Sequence, residues 1–341
     1  MNADVTDAPA AWGDVRVDRR RIERLWARGL LDAAARDHAL GLVDPPRNWG
    51  LWAARILTVF GVALILSGLV YFFAFNWERI PPTAKLAGIG ALLIAAAATP
   101  VVLGLDHAVG QIATTVATVL VGLFLAVFGQ IYQTGADAWG LFFLWAALTL
   151  PWAVLSSSAA TWAVWTTVAD VAIWLWWKQV HPFDGAYHFG SSLSILTLHG
   201  VALVAREGLA VRGVAWLAGR WTRFFLLVPL LGATTTAALG WIVRTHDVGA
   251  LDRVSGAAAV ATIGACLVVW RRVVVDVPAL ALTLTASCVL VVMLAFQLLD
   301  RAAPRADFGV FLILGVFTLT VFAAAVAWLR RVAREVEAHH E

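Results

Sequence analysis

The stretch Val277–Leu299, VPALALTLTASCVLVVMLAFQLL, runs for 23 residues without a charged side chain. A helix of about 20 such residues spans the hydrocarbon core of a bilayer, where no water reaches the backbone amides and carbonyls. Nine other stretches of 17–22 mostly apolar residues lie between Ile56 and Leu329, separated by short polar breaks. The sequence therefore predicts an all-α integral membrane protein, a polytopic bundle of about ten transmembrane helices.

Composition agrees with a membrane environment and argues against several other classes of protein. Hydrophobic residues make up 61% of the chain, charged residues 14%, and the net charge is +3. No basic patch interleaved with aromatic residues lies outside the membrane-flanking segments, so we expect no nucleic-acid partner. The two cysteines, Cys266 and Cys288, fall inside predicted spans and are interpreted as small buried apolar residues.

Lysines and arginines predict the orientation, because cytoplasmic loops retain them. With both termini in the cytoplasm, 18 of the 25 lysines and arginines lie inside, including the largest clusters. We therefore predict an N-in, C-in topology. The ten predicted spans are Ile56–Phe75, Leu86–Leu105, Val109–Phe128, Ala138–Leu155, Ala159–Trp177, Phe189–Ala205, Phe224–Val243, Val254–Trp270, Val277–Leu299 and Phe308–Leu329.

The segment before the first span predicts a small cytoplasmic helical hairpin. Asp18 is placed to cap a first helix that Gly29 ends, and Asp32 to cap a second helix that Pro45-Pro46 stops. Two interpretations remain open for this head: it docks a membrane protein partner or anionic lipid, or it packs on the bundle while its arginines enforce topology. Its arginines are Arg16, Arg19, Arg20, Arg21, Arg24 and Arg28.

Polar residues are densest at the predicted outer ends of the first four spans. Gln130, Gln133 and Asp137 share one face if the third helix continues past Phe128, whereas Gly135 predicts a break. The group either forms a binding pocket for a polar solute or lipid headgroup, or ties the helix ends together as a polar latch. The candidate ligand-binding residues are Asn76, Glu78, Gln130, Tyr132, Gln133, Asp137 and Trp139.

Asp170 lies well inside the fifth span, where an ionisable side chain is costly and usually functional. We predict His199, on the sixth span, as its partner, and both as groups that titrate with protons. The alternative is a neutral hydrogen bond between helices, worth about 1 kcal/mol. The sequence has no HExxH, no CxxC and no phosphate-binding glycine loop, so we assign no catalytic residue, metal site or cofactor.

Three stretches resemble a known family. Phe75-Asn76-Trp77 resembles the ANW that closes its first span, Gly129–Trp152 (GQIYQTGADAWGLFFLWAALTLPW) resembles its most recognisable stretch, and Leu25–Leu40 is similar to its amphipathic start. The family is the bacterial predicted membrane proteins named domain of unknown function 2157 (DUF2157), and the resemblance covers roughly residues 20–180. It implies a multi-pass inner-membrane protein of Gram-negative-type bacteria, with no established activity.

We expect four regions: a cytoplasmic hairpin (1–50), a DUF2157-like membrane region of about six helices (51–205), a C-terminal membrane region of about four helices (206–332) and a cytoplasmic tail (333–341). The leading hypothesis is binding or translocation of a small solute or lipid through the bundle. A second is a non-catalytic assembly or structural subunit of a membrane complex. A third is an intramembrane enzyme acting on lipid-linked substrates, with Glu78 and Asp137 as its carboxylates.

Overall fold

The computed structural model describes residues 19–43, 49–135, 137–181, 186–243, 249–302 and 308–338. Within these residues the chain is helical and contains no strand, which confirms the predicted all-α fold. The α-helices are α1 (Arg19–Ala27), α2 (Ala33–Val43), α3 (Trp49–Asn76), α4 (Pro82–Leu103), α5 (Ala108–Tyr132), α6 (Ala138–Leu155), α7 (Ala159–Val180), α8 (Ala186–Val211), α9 (Arg220–Val243), α10 (Ala250–Val268), α11 (Val277–Ala302) and α12 (Phe308–Ala338).

The predicted spans correspond one to one to the long helices α3–α12, which mostly extend beyond them. In the part of the chain described, eight of these helices are long and apolar enough to cross a membrane: α4, α5, α6 and α8–α12. The protein is therefore a polytopic helical membrane protein. Asp170, three threonines and five tryptophans lower the mean hydropathy of α7. The crossing of α3 and α7 stays a prediction, as does the N-in, C-in orientation.

The chain divides into two compact units, residues 1–80 with 335–341, and residues 81–334. In the second unit, short connections join α4 to α5, α6 to α7 and α8 to α9, and the helices of each pair pack on each other. Helix α7 also contacts α5 and α8, while α9 also contacts α10 and α11. This packing brings α7, α8 and α9 together around the candidate site.

In the first unit, α1 and α2 pack on each other as the predicted hairpin. Gly29 follows α1 with a φ of +71°, a left-handed conformation that glycine adopts without steric penalty. Asp32 caps α2, because its Oδ1 accepts a hydrogen bond of 2.6 Å from the amide of Ala35. Both caps confirm the sequence prediction, whereas Asp18 and Pro45-Pro46 lie outside the described residues.

Candidate functional site

The predicted pairing of Asp170 with His199 is present between α7 and α8. His199 Nε2 lies 2.8 Å from Asp170 Oδ2 and 3.1 Å from Oδ1. The His199 side chain is fully buried, whereas 23% of the Asp170 side chain is exposed. His199 is therefore buried among the helices, whereas Asp170 is partly accessible.

The two ring nitrogens of His199 have different surroundings. Nε2 faces the carboxylate, while Nδ1 is buried and has no hydrogen-bond partner among the described residues. With Asp170 ionised, Nε2–H donates to the carboxylate and Nδ1 carries a lone pair. Among the described residues, this buried ring is therefore tied to a polar side chain through Nε2 alone.

Asp170 faces a cavity of about 510 Å³ between α7, α8 and α9, which we call the Asp170 cavity. Such a volume is in the range of small-molecule sites, in which an apolar lining carries a few polar groups. The polar side chains of its wall are one carboxylate, one imidazole and three hydroxyls. Its lining residues are Asp170, Trp174, His188, Phe189, Ser191, Ser192, Ile195, Pro229, Gly232, Ala233, Thr236 and Gly240.

Further contacts add polar and cationic character to this cavity. Ser192 and Thr236 hydroxyls hydrogen-bond at 3.0 Å between α8 and α9. Pro229 lies inside α9 and has no N–H, so the carbonyl four residues earlier loses its usual helical donor. Lys178 Nζ lies 4.7 Å from the ring centre of Trp174, a distance that permits a cation–π interaction. The Asp170 cavity thus combines hydrogen-bonding groups with an aromatic surface that already holds one cation.

A second polar centre, the arginine cluster, joins α8, α9 and the start of α11 and consists of Arg206, Glu207, Arg220, Arg223 and Asp276. Glu207 accepts two hydrogen bonds from Arg223, at 2.7 and 2.9 Å, and one of 2.7 Å from Arg206. Arg223 also donates to Asp276, a residue whose side chain caps α11 through the amide of Ala279. The exposed Arg220 is 3.7 Å from Asp276. Charged groups buried this deeply need such partners.

Sequence reasoning missed this cluster, because it interpreted the three arginines as determinants of topology, and Arg220 and Arg223 also as part of an interfacial helix or basic loop over Gly208–Arg223. Arg206 is 3% exposed and Asp276 5%, so neither is a solvated loop charge. Arg206 also donates to the Thr222 hydroxyl at 3.2 Å and to the Gly219 carbonyl at 3.0 Å. A usable signal was the presence of two carboxylates, at 207 and 276, beside basic residues at the ends of apolar runs. The charged side chains of the arginine cluster hydrogen-bond within the protein, which indicates that the cluster stabilises the packing of α8, α9 and the start of α11.

The structure places the predicted polar residues of the α5–α6 connection on the surface. Helix α5 includes Gln130 but ends at Tyr132, and Gln133 follows in the left-handed conformation with a φ of +50°. The break predicted from Gly135 is therefore present, and the face shared with Gln130 does not continue to Asp137, which begins α6. The exposed residues here are Gln130, Tyr132, Gln133 and Asp137.

One contact in this region favours the latch interpretation. The backbone amide of Trp139 donates to Gln179 Oε1 at 3.1 Å, which ties the start of α6 to the end of α7. The Tyr132 ring lies 4.6 Å from that of Phe128 on the same helix. The Asp170 cavity is lined by other residues. A ligand-binding role for this segment stays a prediction.

Asn76 and Glu78 belong to the first unit. Asn76 is the last residue of α3, and Glu78 is exposed in the short 3₁₀ turn Trp77–Arg79 that follows. Their role in ligand binding also stays a prediction.

Comparison with known proteins identifies one part of the chain. Residues 23–162 match the model of the family described as predicted membrane protein (DUF2157). The match confirms the resemblance and includes the seven candidate ligand-binding residues from Asn76 to Trp139, whereas Asp170, His199 and the arginine cluster lie beyond it. No curated protein and no solved structure matches the chain.

Proposed function

We propose that this membrane protein binds a small polar or cationic solute in the Asp170 cavity, and that the Asp170–His199 pair changes its proton content when the solute binds. The observation that carries the proposal is a carboxylate that faces a cavity of about 510 Å³ and, among the described residues, hydrogen-bonds a fully buried imidazole. Ionisable residues at membrane depth commonly mark substrate or proton pathways. Translocation of the bound solute is the further step of the same proposal.

The chemistry of the wall supports this class of solute. Ser192, Thr236 and Asp170 offer hydrogen-bond acceptors, and the carboxylate also attracts a positive charge. Trp174 offers an aromatic face of the kind that cations prefer. The other ionisable groups at this site are His188 in the wall and Lys178 over Trp174.

The test is binding measured by tryptophan fluorescence, using a panel of small ammonium compounds, amino acids and sugars at pH 5.5 and pH 8. We expect a member of the panel to change the emission with a pH-dependent affinity. Asp170→Asn should remove the pH dependence and weaken binding. Asp300→Asn, an exposed carboxylate at the end of α11, is the matched control and should bind normally. Unchanged, pH-dependent binding by Asp170→Asn would refute the proton-linked role.

We also propose the bacterial inner membrane as the location of the protein, supported by its several apolar helices and its match to the DUF2157 family model.

We further propose that Gln130, Gln133 and Asp137 form an outer segment that helps to recognise the solute. If they contribute, the double variant Gln133→Ala with Asp137→Ala should weaken binding of the same solute. If they act only as a latch, the affinity should stay unchanged while the thermal midpoint falls.

A further inference from the structure

A second cavity, of about 310 Å³, lies against the other half of α8 and α9. The Asp170 cavity is lined by residues 188–195 of α8, whereas this one is lined by residues 202–209. We call it the tryptophan cavity, since three tryptophans line it. Its lining residues are Val154, Ala159, Trp162, Ala163, Thr166, Ala202, Ala205, Arg206, Leu209, Trp216, Leu217, Trp221, Thr222, Phe225 and Leu226.

The wall of the tryptophan cavity is apolar apart from one charge and two hydroxyls. Thr166 donates to the carbonyl of Trp162 on its own helix, and Thr222 donates to the carbonyls of Leu217 and Gly219. These hydroxyls are therefore already bonded within the protein. What remains for an occupant is an apolar slot with Arg206 on its wall. A soluble polar compound would find few free hydrogen-bonding groups there, whereas a hydrocarbon chain would pack its apolar surface against the apolar lining.

Charge is concentrated beside this slot. The arginine cluster has three arginines against two carboxylates, and Arg220 holds the excess because 69% of its side chain is exposed. The exposed Arg212 lies in the same short connection between α8 and α9. Both helices are long and apolar enough to cross a membrane, so the connection between them lies at a membrane surface. Basic pockets between transmembrane helices at that level attract anionic lipid headgroups.

The two tryptophans nearest this surface suit the same occupant. Trp216 lies in the 3₁₀ turn Ala215–Leu217, and Trp221 is half exposed at the first turn of α9. Indole rings are enriched at the headgroup level, because one part of the ring is apolar and the N–H is polar. The Trp221 ring covers Gly219, where an added Cβ would lie 3.2 Å from it. The aromatic rim, the apolar slot and the excess positive charge therefore lie together.

We propose that the tryptophan cavity holds one acyl chain of an anionic phospholipid, whose phosphate group lies against Arg220 at the rim. The apolar lining recognises the chain, and the exposed Arg220, part of a cluster with one more arginine than carboxylates, recognises the negative headgroup. A zwitterionic lipid would occupy the slot with the same chain but without the charge attraction. This site is separate from the Asp170 cavity and does not depend on the function proposed for it.

The test is native mass spectrometry of the delipidated full-length protein after addition of phosphatidylglycerol or phosphatidylethanolamine with the same acyl chains. A basic residue near an anionic surface contributes about 1 kcal/mol, which corresponds to roughly fivefold tighter binding. We therefore expect about fivefold more bound phosphatidylglycerol than phosphatidylethanolamine. Arg220→Gln should bring the two lipids to nearly equal occupancy. Because Arg220 is exposed, this variant should fold normally.

A pair of substitutions on α8 tests the chain-binding slot. Ala202→Trp fills the tryptophan cavity and should lower the occupancy of both lipids, whereas Val201→Trp, at a neighbouring position that is 66% exposed, should leave it unchanged. Equal lipid occupancy in these two variants would overturn the proposal. So would an unchanged lipid preference in Arg220→Gln, or displacement of phosphatidylglycerol by inorganic phosphate. Circular dichroism identifies a variant that fails to fold, and the Arg220→Gln result then decides alone.

Discussion

At the scale of single residues, the Asp170–His199 contact also bears on stability, because the buried His199 ring has no other hydrogen-bond partner among the described residues. If Asp170 becomes leucine, Nε2 of the buried imidazole loses its carboxylate partner, and neither ring nitrogen then has a hydrogen-bond partner among the described residues. We expect Asp170→Leu to lower the free energy of unfolding by about 1–3 kcal/mol, the usual penalty for an unsatisfied buried polar group. Denaturant unfolding in detergent measures this change.

A double-mutant cycle separates the pair from its surroundings. In Asp170→Leu with His199→Leu, neither unsatisfied group remains, so the double variant should lose less stability than the two single variants added together. Strictly additive losses would mean that the two side chains do not interact energetically.

A different pair gives the hairpin a pH dependence. Arg36 donates to both carboxylate oxygens of Glu23, at 2.8 and 3.1 Å, and lies 4.6 Å from the ring centre of Trp26. These hydrogen bonds lower the pKa of Glu23 below its ordinary value. A carboxyl group with a lowered folded-state pKa stabilises the fold above its unfolded pKa, and this contribution is lost as the pH falls through the folded-state value.

We therefore expect residues 19–43 to exchange their amide hydrogens faster at pH 3.5 than at pH 5.5, after correction for intrinsic exchange rates. Glu23→Gln should exchange fast at both values, because its side chain cannot ionise. A wild-type hairpin with equal protection at both pH values would contradict this role of Glu23.

At the scale of helices, tryptophans pack directly on glycines of the neighbouring helix at three places. Trp145 of α6 lies on Gly122 of α5, and Trp177 of α7 lies on Gly190 of α8. A Cβ added at either glycine would lie within 2.4 Å of a ring atom. The same arrangement joins α9 to α10 through Trp241 and Gly256. Small residues let transmembrane helices approach closely, and here an indole ring fills the space that they leave.

Gly122→Ala should therefore destabilise the α5–α6 pair. Trp145 has little freedom to move away, because its Nε1 donates to the carbonyl of Thr118 at 2.6 Å. Overpacking of this kind costs about 1–3 kcal/mol, and a thermal unfolding scan in detergent should show a lower midpoint. Gly129→Ala on the same helix is the control, since its new Cβ would meet its nearest neighbour at an ordinary 3.5 Å. Equal midpoints for the two variants would show that Gly122 is not a close contact.

The helices were predictable because length and hydropathy are local properties of the sequence. α6 begins and ends at the predicted residues, Ala138 and Leu155. Other features depend on tertiary contacts and left no local signal. The π-helical turn Val269–Val273 replaces the end of a predicted span, and the next helix begins only after Val275, whose φ is +48°. The pairing of Asp170 with His199 was predictable because few ionisable residues lie inside the predicted spans.

At the scale of the whole molecule, the long helices differ in how deeply they are buried. The most apolar stretch of α12 has no buried residue, whereas 44% of the most apolar stretch of α9 is buried. The exposed apolar surfaces of such helices contact the lipid bilayer directly. The candidate site instead lies among the better-buried helices α8 and α9, next to α7. Because α7 is less apolar than its neighbours, whether it crosses the membrane determines whether Asp170 lies at membrane depth.

Whether two loops lie on the same or on opposite sides of the membrane tests whether α7 crosses it. This test does not depend on whether α3 crosses, because both loops follow α3 in the chain. Helices α6, α7 and α8 separate residue 134 from residue 212 along the chain. Three crossings put the two positions on opposite sides of the membrane, while two crossings put them on the same side. We expect three crossings, because the hydrogen bond with His199 lowers the cost of placing the Asp170 carboxylate in the membrane, and because α7 packs on both α6 and α8.

Cysteines introduced by Thr134→Cys and by Arg212→Cys report the two sides, since both positions are exposed and the native Cys266 and Cys288 are buried. With an impermeant maleimide on intact cells, Thr134→Cys should be labelled at once and Arg212→Cys only after the membrane is permeabilised. Labelling of both variants from outside would mean that α7 does not cross. Asp170 would then lie at the membrane surface, where a carboxylate needs no buried partner, and the proton-linked site would lose its physical basis.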